Sequence, residues 1–145
     1  MNLKSLLIAC SAALLLFASC NSQSDTHSLE GKWSFKTLKG AYSELWLDGQ
    51  FLLTVKSDTR NPYVFDYNQN GDTIVIYQFG QRGNKEWEID RFLIEKHNGK
   101  KATILQDTIH NDLRLISENI THIKNTTSYK DSVLLDFDSR AQSER

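Results

Sequence analysis

From Ser28 onward, apolar residues recur every second position, and turn-forming residues arrive about every ten residues. A period of two places alternate side chains on opposite faces of an extended strand. Many short strands separated by such turns predict an all-β sandwich or barrel. The lone proline, Pro62, stands at the start of a strand pattern, where its missing N–H donor does little harm. No repeat or low-complexity tract interrupts residues 29–135, so 145 residues predict one folded domain.

Three hairpins carry the pattern. In "YVFDYNQNGDTIVIYQ", Asn70-Gly71 favours a two-residue turn that sets Tyr67 against Ile74 and Phe65 against Ile76. Aromatic and isoleucine side chains then share one face, while Val64, Asp66, Val75 and Tyr77 share the other. In "SELWLDGQFLL", a two-residue Asp48-Gly49 turn places Glu44 on the same face as Trp46, Phe51 and Leu53, inside the core. An unpaired buried carboxylate is costly. A three-residue Leu47-Asp48-Gly49 turn with a bulge is therefore expected. It sends Ser43, Leu45, Phe51 and Leu53 inward and leaves Glu44 and Trp46 outside. The third hairpin, "KEWEIDRFLIEKHNGKKATILQD", turns at Asn98-Gly99, and its broken alternation predicts a β-bulge at Asp90-Arg91. "NDLRLIS" reads as a further strand, "DSVLLDF" as the last, and residues 136–145 as a frayed polar tail.

The N-terminus has a different composition. Lys4 precedes an apolar block from Leu6 to Phe17, shorter than the roughly 20 residues of a membrane-spanning helix and suited to an export signal. "LIAC" (Leu7–Cys10) and "FASC" (Phe17–Cys20) both resemble the lipobox of bacterial lipoproteins, in which small residues lead into a cysteine that becomes acylated. Cleavage before Cys20 leaves a full apolar region ahead of the cut. Residues 1–19 are thus expected to form a lipoprotein signal peptide, and residues 20–28 a lipidated polar tether. The mature chain then keeps one cysteine and closes no internal disulfide. The several acyl chains that the resemblance implies, palmitate among them, give a stable anchor where a single chain would not. A bacterial cell-envelope location follows, at the outer membrane or cell surface.

"LEGKWSF" (Leu29–Phe35) resembles the Gly-x-Trp start of the lipocalin first strand, and "LWLDGQF" resembles a hairpin of small lipocalin-like domains in bacterial lipoproteins. The resemblance covers about residues 29–117 and implies an up-and-down antiparallel β-barrel of about eight strands. It also implies that Trp33 packs across the closed end with Arg114 as a cation over the ring.

Seventeen basic and eighteen acidic side chains give a net charge of −1, too balanced to draw in nucleic acid. With Cys20 acylated no thiol is left for nucleophilic chemistry. His110, Asp112 and His122 match no common zinc spacing. Glu86, Glu88 and Asp90 read as the wet face of a strand. No cofactor motif appears, and no enzymatic activity is expected.

The aromatic set is the more suggestive feature. Phe51, Tyr63, Phe65, Tyr67 and Trp87 are candidates to line the mouth of a cavity for a small apolar or amphipathic ligand. The alternative is a protein-interaction or inhibitor module of the envelope that uses Trp46 and Tyr42 on an outer sheet face. "DTI", "DTI" and "DSV" resemble the acceptor of some periplasmic O-glycosylation systems, marking Thr73, Thr108 and Ser132.

Overall fold

The computed structural model describes residues 28–144. Eight antiparallel strands follow one another around a closed barrel: β1 (Gly31–Lys36), β2 (Tyr42–Leu47), β3 (Phe51–Lys56), β4 (Tyr63–Asn70), β5 (Thr73–Tyr77), β6 (Glu88–His97), β7 (Lys101–Gln106) and β8 (Ile109–Ser117). Strand β8 closes the barrel on β1, with Trp33 opposite Leu115 and Ser34 opposite Arg114. Closure leaves no open sheet edge within the barrel. The expected up-and-down barrel is the fold that forms.

Side chains of paired residues share a face, so the pairings sort the chain into inside and outside. Inside lie Trp33, Leu45, Leu47, Leu52, Tyr67, Ile74, Phe92, Ile94, Ile104 and Leu113. A second apolar layer forms outside the barrel, where Trp46, Leu53, Val55 and Val64 pack under Ile123, Val133, Phe137 and Ala141.

That outer layer exists because the chain ends in a helix, α1 (Thr127–Ser143). The expected last strand "DSVLLDF" does not form, and residues 136–143 of the expected frayed tail are helical; both stretches lie in α1. Thr126 caps the helix, its side chain accepting from the Tyr129 N–H at 3.4 Å. Val133, Phe137 and Ala141 recur every fourth residue and form the buried stripe. The Val-Leu-Leu run resembles a strand only in isolation, and Leu135 within it is largely exposed.

The first hairpin differs from expectation for the same reason. Leu47 pairs with Leu52, and the Asp48 N–H donates to the Phe51 carbonyl at 3.2 Å, leaving Gly49 and Gln50 at the tip. Glu44, Trp46, Phe51 and Leu53 consequently share one face, and that face is the outer one. Phe51 and Leu53 are therefore outside the barrel, and Leu47 and Leu52 take the interior. Glu44 is fully buried beneath α1 but not unpaired. Its carboxylate accepts from Tyr42 Oη at 2.7 Å, Trp46 Nε1 at 2.8 Å, and Arg140 Nε and Nη2 at 2.8 and 2.9 Å. Burial works against the Arg140 charge, yet its bonds to Glu44 and Asp136 outweigh that and hold its pKa above the usual arginine value.

The other two hairpins keep their faces but shift register. Asn70 pairs with Thr73, which moves the turn to Gly71-Asp72 and sets Tyr67 opposite Ile76. A two-residue slip preserves sidedness, so Phe65, Tyr67, Ile74 and Ile76 still point inward. In the third, His97 pairs with Ala102 and the tip is Gly99-Lys100. The bulge expected at Asp90-Arg91 falls one residue earlier: Ile76 faces Asp90 while Tyr77 faces Glu88, so Ile89 is the extra residue. A second register break lies between Ile94 and Lys96.

Candidate functional site

The two ends of the barrel differ. At one end Leu29 and Trp33 are almost fully buried, and Trp33 Nε1 donates to the Leu29 carbonyl at 2.8 Å. Tyr67 reaches the same end, where its hydroxyl accepts from the Gly49 N–H at 3.0 Å. Burial pushes the Tyr67 phenol up to about 12. This end is closed. His97, not Arg114, is the ring neighbour of Trp33, edge-on at 5.6 Å. Arg114 is exposed on the outer face because Leu113 and Leu115 take the inward positions of β8. The cations that do sit over a tryptophan belong to Trp46 on the outside: Lys32 Nζ at 4.0 Å and Arg140 at 5.8 Å from the ring centre.

The opposite end opens into a cavity of about 480 Å³. Leu45, Leu52, Phe65, Ile76, Phe92 and Ile104 give it apolar walls, and Leu38, Ile89 and Ile109 stand at its rim. Alternation supplies the walls, since each is the inward residue of its strand. Asp90, Gln106 and Asn111 form a polar stretch on the wall of β6, β7 and β8. Asp90 alternates with the inward Phe92 and Ile94 and so reaches this wall, while the bulge at Ile89 leaves Glu88 on the other face; the expected wet face shared by Glu86, Glu88 and Asp90 does not form. The alternation break near Asp90 is the sequence signal of that bulge. Lys39, Lys56 and Asp58 lie on the other side of the mouth and are exposed.

Of the five aromatic candidates, Phe65 lines this cavity. Phe51 lies outside, stacked on Phe79 at 5.4 Å and against His122 at 5.5 Å. Tyr63 stacks on Phe65 at 6.3 Å but is half exposed at the barrel edge. Tyr67 belongs to the core at the closed end. Trp87 is half exposed in a short 3-10 turn, Lys85–Trp87, ahead of β6. The aliphatic side chains that make most of the cavity wall were not distinguishable by type from ordinary core.

The remaining candidates are scattered. His110 pairs with Glu95 at 2.8 Å, His122 with Asp48 at 3.0 Å, and Asp112 accepts from Thr103 at 2.9 Å. Among the described residues no three His, Cys, Asp or Glu side chains are placed to hold a metal ion. Thr73 is half-buried at the start of β5, Thr108 is exposed between β7 and β8, and Ser132 is exposed on α1. The face assigned to partner binding is covered: Trp46 is buried, and Tyr42 packs on Phe137 at 5.4 Å. Cys20, with the signal and most of the tether, lies outside the described residues. No protein-family model, curated protein or solved structure matches the chain.

Proposed function

We propose that the chain is a non-enzymatic lipoprotein of the bacterial cell envelope, anchored through an acylated Cys20, whose lipocalin-like barrel binds a small apolar or amphipathic molecule at its open end. The observation that carries this reading is the cavity itself. Its volume of about 480 Å³ falls among small-molecule sites, which span about 300–1,000 Å³ with mostly apolar walls and a few polar groups. The topology supports a cup held by its base. Strand β1 begins at the closed end beside Leu29, so a tether preceding Ser28 joins the barrel opposite its mouth.

Native mass spectrometry of the full-length chain, extracted from its host with surrounding lipid, tests the ligand. Repeated recovery of an adduct that resists lipid exchange is the expected result; consistent recovery of an empty barrel overturns it. Intact mass of the same preparation tests the anchor, which predicts a chain starting at Cys20 with added acyl mass. An unmodified Cys20 rules the anchor out.

A further inference from the structure

Polar side chains meet the cavity on two sides, Thr37 and Thr54 on one and Asp90, Gln106 and Asn111 on the other, and the second group holds a half-buried carboxylate. Asp90 Oδ1 accepts from the Arg91 N–H at 2.7 Å, and Oδ2 accepts from Gln106 Nε2. A carboxylate only accepts, so Gln106 must turn its nitrogen towards Asp90, and the oxygen of that amide is left as an acceptor. Each carboxylate oxygen also keeps a lone pair beyond the bond it already makes. Asn111 adds an amide to the same wall. The stretch is therefore rich in acceptors and carries one negative charge.

Depth separates this charge from the others at the mouth. Lys39, Lys56 and Asp58 are exposed, where water and salt screen them. Asp90 and Gln106 are half-buried beside Phe92 and Ile104, where a charge is felt more strongly. Asp90 continues the inward alternation of Phe92 and Ile94, and the register break before it turns Glu88, opposite Tyr77, to the other face.

We infer that the cavity selects a ligand with an apolar body and a protonated amine, the amine donating to Asp90 and to the amide oxygen of Gln106. This rests on the cup reading above and names the ligand class for it. A carboxylate of the same chain length meets like charge at Asp90, and an alcohol forms a hydrogen bond without the ion pair.

The test is calorimetric titration of the full-length chain in lipid nanodiscs with octylamine, 1-octanol and octanoate, with protein-free nanodiscs as the blank. Octylamine is expected to bind about tenfold more tightly than either of the others. Asp90→Asn keeps the shape and is expected to weaken octylamine about tenfold while moving octanol by less than about twofold. Equal binding of octylamine and octanol or octanoate overturns the inference, as does an unchanged octylamine affinity in Asp90→Asn. In those cases the cup reading stands. Absence of binding by all three probes overturns both. The ranking of the three probes on the unaltered chain decides the matter even if Asp90→Asn fails to fold.

Discussion

Glu44 and Arg140, 96 positions apart in the chain, meet through two hydrogen bonds of 2.8 and 2.9 Å between the outer face of β2 and the underside of α1. Glu44 is wholly excluded from water, and Tyr42 and Trp46 complete its bonding. The pair explains how a carboxylate lies among apolar side chains without being left unsatisfied. It also ties the last segment of the chain to the first hairpin.

Removing one partner of such a pair strands the other. Arg140→Met is expected to cost about 3–5 kcal/mol, because Glu44 keeps two neutral donors but loses its countercharge. The double variant Glu44→Gln, Arg140→Met is expected to be clearly more stable than Arg140→Met alone. Urea unfolding of the set checks this. Simple additivity of the two changes would show that the residues do not act as a unit.

The apolar half of the same contact is Phe137, almost fully buried against Tyr42 and the outer strands. Phe137→Ala is expected to lose about 3–5 kcal/mol. Loosening of α1 exposes Trp46, so its fluorescence is expected to shift to longer wavelength below the global unfolding midpoint. Trp33 and Trp87 are then replaced by Phe so that Trp46 alone reports. Coincidence of the two transitions would show that helix and barrel unfold together.

Alkaline pH offers a separate handle. Burial raises the pKa of both Tyr42 and Tyr67, and for Tyr42 the hydrogen bond to Glu44 adds to it. A folded pKa above the unfolded value of about 10 means that the folded state holds the proton more tightly. Their contribution is complete below pH 10; that of Tyr67 is lost as pH rises towards about 12, and that of Tyr42, which is raised further, persists to higher pH. Urea midpoints are expected to fall above about pH 10, and Tyr42→Phe with Tyr67→Phe to flatten that fall. An equal fall in the double variant refutes the assignment to these phenols.

One glycine lies where β1 and β8 approach closely at the closing seam. Gly31 has φ of 131°, and a Cβ there would stand 3.0 Å from the Ser117 carbonyl oxygen and 3.1 Å from Leu115 Cδ1. Gly31→Ala is expected to destabilise by about 1–3 kcal/mol, from strain and from forcing β1 away from β8. Gly40→Ala is the comparison, with φ of 80° but open space around it, and is expected to lose only about 1 kcal/mol. Thermal melts of the two variants, with hydrogen exchange along β1 and β8, distinguish a seam effect from a general glycine effect.

Much of the architecture was legible in residue order. Alternation from Ser28 onward predicts strands, the Gly-containing turns divide them, and the inward set Phe65, Tyr67, Ile74 and Ile76 survives a two-residue change of register because side-chain direction repeats every two residues. The break in alternation near Asp90 is likewise visible in the chain, and it foretells a bulge within a residue of where one forms.

Sidedness in the first hairpin is another matter. Whether Glu44, Trp46, Phe51 and Leu53 face the core or the outside depends on what covers them. The cover is supplied by Val133, Phe137, Ala141 and Arg140, which no local pattern connects to residues 44–53. The cavity has the same origin. Its walls are side chains that would fill any small core, and they enclose space only because eight strands close at a particular diameter. Local alternation thus determines the strands. Closure and helix docking, set by contacts between distant parts of the chain, decide which faces are buried and where a cavity remains.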